Sequence, residues 1–97
     1  MSTNKPSVLV TRRLPSSVLD RLEQACELDL HAEPTVISRE ALLSRVIGKH
    51  ALVCLLTEPI DSAVLEAAGP TLKVVANVAV GFNNIDVPAC RARSIVV

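Results

Sequence analysis

Aromatic residues are nearly missing from these 97 residues: Phe82 stands alone, with no Trp and no Tyr. That removes the platforms on which proteins stack bases or flank a flavin, and it leaves Val, Leu, Ile and Ala to build the core. Charge of one sign is missing too. Ten basic residues balance ten acidic ones, no basic stripe forms, and nucleic acid is not an expected partner. Glycine is scarce, present only at Gly48, Gly69 and Gly81, so no Gly-x-Gly-x-x-Gly turn exists to cradle a pyrophosphate. Cys26, Cys54 and Cys90 are odd in number and far apart. They have neither metal-ligand nor redox spacing, so no metal site is expected, and the setting reads as reducing and cytoplasmic. No run approaches the roughly 18 apolar residues of a spanning helix. Met1–Ser7 is polar and lacks a following signal-length apolar segment, so no membrane association is expected.

What is present is a regular alternation of short apolar runs and amphipathic stretches, within a length that allows one domain. Val8–Val10 reads as a buried strand, and Val18, Leu19, Leu22, Ala25 and Cys26 recur at helical spacing behind the N-cap candidates Ser16 and Ser17. Leu28, Leu30 and Ala32 alternate with polar residues, as an edge strand does. Ser38 is placed to cap a helix with the stripe Leu42, Leu43, Val46 and Ile47, and Gly48 follows at its end. Ala51–Leu55 reads as a central strand. Asp61 caps Ser62–Ala68, which Gly69 and Pro70 stop. Leu72–Ala76 is the fourth strand, Val87–Arg93 a helix behind the N-cap Asp86, and Ile95–Val97 the start of a fifth strand, cut short at Val97. Such βα alternation with short loops predicts an α/β fold with a parallel sheet and helices on both faces. With the amphipathic strand at an edge, the order becomes 2-1-3-4-5, the flavodoxin-like arrangement.

In that order ligands bind beyond the carboxyl ends of the strands, at the switch between strands 1 and 3. The loops gathered there carry Arg12, Arg13, Leu56 and Thr57, with Val80 and Gly81 in the neighbouring loop after strand 4. Asn77–Asp86 is a strand-to-helix crossing, in which Gly81 lets a ligand approach the backbone and Asn83 and Asn84 tolerate unusual angles. The simpler account of Arg12-Arg13 is a solvated loop, and of Leu56-Thr57 strand-end packing. His31 and His50 have no carboxylate at dyad spacing and read as ordinary surface or loop histidines. Glu58 and Asp61 read as a loop charge and a helix cap.

Several segments carry a family likeness: Val8-Leu9-Val10-Thr11-Arg12-Arg13-Leu14-Pro15, Ala51-Leu52-Val53-Cys54-Leu55-Leu56-Thr57, Leu65-Glu66-Ala67-Ala68-Gly69-Pro70-Thr71-Leu72-Lys73-Val74-Val75 and Asn77–Asp86. In order and spacing they resemble the N-terminal part of the D-isomer-specific 2-hydroxyacid dehydrogenases, especially the glyoxylate/hydroxypyruvate reductase branch. The resemblance implies that residues 1–97 are the first segment of a substrate-binding (catalytic) domain whose dinucleotide-binding domain lies outside this chain. It implies an NAD(P)-dependent oxidoreductase acting on small 2-keto or 2-hydroxy acids, with NAD or NADP as cofactor and a homodimer as its assembly. It puts Leu56 against the substrate and the Val80 and Gly81 amides on its carboxylate, and Thr57, beside Leu56, is a further substrate-binding candidate by its place in the same wall. The family's catalytic Arg, Glu and His and its glycine fingerprint match no position here, so no catalytic and no cofactor-binding residue is expected and the 97 residues alone should be inactive. A second class stays open, a stand-alone small-carboxylate-binding or dimerisation module. A phosphoryl-accepting receiver does not fit, since Thr11-Arg12-Arg13 and Leu56-Thr57 stand where its acidic residues belong. A flavodoxin does not fit either, lacking its phosphate loop.

Overall fold

The computed structural model describes residues 5–33, 35–55, 57–78 and 83–97. Four strands, β1 (Ser7–Val10), β2 (Glu27–Leu30), β3 (Ala51–Cys54) and β4 (Val74–Asn77), alternate with helices α1 (Ser16–Ala25), α2 (Arg39–Arg45), α3 (Ser62–Ala68) and α4 (Val87–Ala92). The strands form one sheet in the order β2-β1-β3-β4, all pairs parallel. The alternating strand is at the edge, as its pattern requires. Leu9 pairs with Leu52, and Leu52 with Val75, so the central rung of the sheet is aliphatic across three strands.

The expected fifth strand is reduced to one parallel bridge between Val74 and Val96, held by Val75 N–H on Val96 O at 2.8 Å and Val96 N–H on Lys73 O at 2.9 Å.

Alternation decides which strand residues reach which layer. Leu9, Leu52, Cys54 and Val75 point into one cluster with Leu42 and Val46 beside α2, Val64, Leu65 and Ala68 of α3, and Cys90 of α4. Val8 and Val10 are buried outside that cluster, as is Leu19 of α1, which places α1 on the other face. That face is incompletely covered. Val74, at 41 % exposure, and Ala76 look out from it, while Val75 between them is fully buried.

Three helix starts follow the expected caps. The Ala41 N–H donates to Ser38 Oγ at 3.1 Å, Val64 N–H to Asp61 Oδ1 at 3.2 Å and Ala89 N–H to Asp86 Oδ1 at 3.0 Å. α3 ends at Gly69 with φ 80°, a left-handed angle that glycine adopts freely. α1 departs from expectation: Ser16 and Ser17 lie inside its first turn, Pro15 precedes it, and no side chain caps it. Pro15 has the fixed φ and lacks the N–H, so the helix begins behind it without a serine cap. Ile47 also departs, being 63 % exposed, because it falls in the turn beyond α2 where the helical stripe no longer continues.

Two ion pairs tie the helices down from outside. Arg39 grips Asp61 with Nη2 at 2.9 and 2.8 Å from its two oxygens. Arg45 reaches Asp29 on β2 at 2.6 Å. In each case the guanidinium hydrogen bond holds the carboxyl below its usual range.

Candidate functional site

At the carboxyl ends of β1 and β3 the chain buries two polar side chains side by side. Thr11 is fully buried and Glu58 is 1 % exposed. Burying a carboxylate is costly unless its oxygens are met by donors, and here they are. Oε1 of Glu58 accepts from the Thr11 hydroxyl at 2.5 Å and from the Leu55 N–H at 3.0 Å, and Oε2 accepts from the Thr57 hydroxyl. The carboxylate therefore closes the turn that leaves β3, which is also closed by Glu58 N–H on Leu55 O at 3.1 Å. Glu58 is thus no loop charge, contrary to the sequence reading. Thr11, 47 positions away, supplies a donor that only the parallel pairing of β1 with β3 brings near.

A second polar group meets the same turn from β4. The Asn84 carboxamide donates to Leu55 O at 3.0 Å and to Glu58 O at 2.9 Å, while its oxygen accepts from Asn77 Nδ2 at 3.0 Å. Backbone bonds continue the join: Ile60 N–H to Asn84 O at 2.7 Å and Asp86 N–H to Ile60 O at 2.9 Å. Beneath lies Cys54, buried, its thiol against Asn77 Oδ1 at 3.6 Å. Burial above all, and then the Glu58 carboxylate, pushes this thiol up to about 12. It is a core atom and not a nucleophile.

Of the expected substrate-facing residues, Thr57 is exposed at this rim and takes Arg12 Nη2 on its hydroxyl at 3.4 Å. Arg12 is half-buried, and its Nε is enclosed without a hydrogen-bond partner among the described residues, so the solvated-loop reading holds for Arg13, which is exposed, but not for Arg12. Leu56, Val80 and Gly81 lie outside the described residues. His31 is not a surface residue: it is 7 % exposed, with Nε2 at 3.0 Å from Thr35 O and Nδ1 at 3.4 Å from Arg45 Nη1. It belongs to the β2 edge. His50 is exposed at the opposite end of the sheet, where Nδ1 accepts from the Ser7 N–H at 2.9 Å.

No group of three His, Cys, Asp or Glu residues converges among the described residues. Gly48 and Gly69 take positive φ after α2 and α3, so neither opens a helix toward a phosphate. No described helix is long and apolar enough to cross a membrane. A cleft of about 460 Å³ lies along Val87, Arg91 and Ser94–Val97 and shares no residue with the rim.

A family model for the catalytic domain of the D-isomer specific 2-hydroxyacid dehydrogenases matches residues 8–97. The glyoxylate reductase of Korarchaeum cryptofilum (strain OPF8) is 46% identical over 93 residues, covering 96% of this chain and 28% of the relative. That of Thermofilum pendens (strain DSM 2475 / Hrk 5) is 43% identical over 94 residues, covering 96% and 27%. Among solved structures, the TT0316 protein from Thermus thermophilus superposes with a TM-score of 0.84 at 39% identity, covering 92% of this chain and 28% of that one. The chain thus spans little more than a quarter of the length of these relatives.

Proposed function

Since the chain belongs to the D-isomer specific 2-hydroxyacid dehydrogenase family, we propose that it forms the N-terminal segment of the substrate-binding domain of an oxidoreductase that reduces glyoxylate, hydroxypyruvate or a similar small 2-keto acid. The carrying observation is the match of nearly the whole chain to relatives named glyoxylate reductase. The rim supports the same location, because it gathers polar groups where an open parallel sheet receives its ligand.

Within this reading the 97 residues bind and orient, and do nothing more. Leu56 and Thr57 form one wall of the site. The Val80 and Gly81 amides hold the substrate carboxylate, and the missing side chain of Gly81 lets it approach. NAD or NADP is held by protein outside these residues, since they contain no glycine-rich turn, and so is the proton donor, since His31 belongs to the β2 edge and His50 lies at the opposite end of the sheet. Strand 5 continues beyond Val97 in the longer protein, and further chain covers the open face at Val74 and Ala76. The working form is a cytoplasmic homodimer.

The test begins with the DNA downstream of the Val97 codon, where a continuing frame should encode a Gly-rich turn and a later His. The purified full-length protein should then consume NADH or NADPH with glyoxylate or hydroxypyruvate, and the 97-residue chain should not. Gly81→Val should raise KM about 10- to 150-fold, the equivalent of losing a hydrogen bond to a charged group worth roughly 1.5–3 kcal/mol. An unchanged KM in the folded variant refutes the carboxylate site. A stop codon after Val97, together with saturable carboxylate binding, supports the stand-alone module instead.

A further inference from the structure

We propose that Asn84 is a positioning residue that fixes the turn after β3, which carries Thr57, against the end of β4, an inference that rests on the functional reading above. Its side chain has four hydrogen-bonding positions, two donating and two accepting. Its Nδ2 donates to one turn, at Leu55 O (3.0 Å) and Glu58 O (2.9 Å), and lies farther, at 3.4 Å, from Asn77 Oδ1. The oxygen is held by Asn77, the last residue of β4, at 3.0 Å. The Asn84 backbone carbonyl takes Ile60 N–H at 2.7 Å, beyond the same turn. One residue thus connects the end of β4, the loop that follows it and the turn after β3.

The Glu58 carboxylate grips that turn from the other side, through Leu55 N–H and the Thr57 hydroxyl. The described ends of this turn, Leu55, Thr57 and Glu58, are therefore held by a carboxylate that supplies only acceptors and by a carboxamide that donates to two of its carbonyls. No other natural side chain does both jobs of Asn84. Asp would turn oxygens toward two carbonyl oxygens, Gln is longer by one methylene, and Ala removes the donor to Glu58 O and leaves Leu55 O with the Glu58 N–H alone. Of the proposed contacts, Thr57 lies in this turn, Leu56 precedes it in sequence, and Val80 and Gly81 lie between Asn77 and Asn84 in sequence. The place of Thr57 relative to the end of β4 is then set by Asn84, whose carboxamide is engaged within the protein.

The experiment uses the full-length protein and the variants Asn84→Ala and Asn84→Ser, the second keeping one donor in place of two. Amide hydrogen exchange, measured without substrate, should accelerate at least about 10-fold at Leu55 and Glu58 in Asn84→Ala, less in Asn84→Ser, and not at Leu9 or Leu52. With a 2-keto acid and NADH or NADPH, kcat/KM should fall about 100-fold in Asn84→Ala, the effect of a misplacement of about 1 Å, with KM rising and Asn84→Ser intermediate. His50→Ala, which removes a hydrogen bond at the far end of the sheet, should leave both kinetic constants unchanged. Unchanged exchange at Leu55 and Glu58 overturns the clamp, and so do wild-type kinetics per folded molecule in Asn84→Ala. A wild-type protein that reduces no 2-keto acid overturns the functional reading and the substrate role with it, while the exchange arm decides the clamp on its own. If Asn84→Ala does not fold, the same two readouts in Asn84→Ser decide.

Discussion

At the amino end of the sheet, loops are joined mainly through the backbone: Glu27 N–H to Pro6 O and Lys73 N–H to His50 O, both at 2.8 Å. Side chains that join in, such as His50 on Ser7 N–H and Thr71 on Lys49 O, are exposed or half-buried. At the carboxyl end backbone bonds such as Ile60 N–H to Asn84 O are joined by a set of side-chain bonds, and two of these side chains, Thr11 and Glu58, are buried outright. Water can replace a lost partner at the amino end but not at the carboxyl end, where an unmade bond costs the full desolvation of the group. A fold needing only stability would fill that space with aliphatic side chains. The polar construction at one end marks the loops whose shape matters, and that is the end where an open parallel sheet receives its ligand.

Stability measurements by urea unfolding can break this contrast. Glu58→Leu should have the largest effect, about 3 kcal/mol, since it leaves the Leu55 N–H without its acceptor and the Thr11 hydroxyl with only Val53 O, at 3.3 Å. Glu58→Gln, which keeps one acceptor oxygen, should recover most of that. His50→Ala should cost about 1 kcal/mol or less, because water can take over the Ser7 N–H. Arg39→Ala should cost least, about 0.2–1 kcal/mol, as Arg39 and Asp61 are both well exposed. That last contribution also has a pH signature. The Asp61 carboxyl titrates lower in the folded state than its ordinary value of 3.8, so the pair stabilises above that pH and its contribution fades as pH falls below it. Equal losses from Glu58→Leu and His50→Ala would erase the distinction between the two ends.

The sequence carried the frame because the frame is local. Period-two alternation in Leu28–Leu30, the continuous apolar run Ala51–Leu55, and the caps Ser38, Asp61 and Asp86 depend on residues within a few positions of one another, and each took its expected place. Ser16 and Ser17 misled because Pro15 competes for the same helix start and wins it. The clamp was hidden for the opposite reason. Glu58 meets Thr11 across 47 positions, and Asn84 meets Leu55 across 29, so no spacing rule links them. Glu58 beside Pro59 looks like a surface loop charge, and Asn84 like a residue chosen for turn angles. A better signal was available in Thr11 itself, a polar residue directly continuing the apolar run Val8–Val10 in a strand destined for the sheet centre, which must find a buried partner. Of the four proposed contacts, Thr57 alone is among the described residues, and it stands at the rim.

The account's central claim is that the carboxyl end of this sheet, and not the amino end, meets the substrate. Hydrogen exchange on the full-length protein, with NADH or NADPH present and with or without saturating oxamate as an unreactive 2-keto acid analogue, tests it most directly. The account predicts slower exchange at amides in residues 55–60 and 78–86, and no change in residues 26–30 and 49–52. Protection confined to the amino-end loops, or none at residues 55–60 and 78–86 while oxamate is bound, would contradict it.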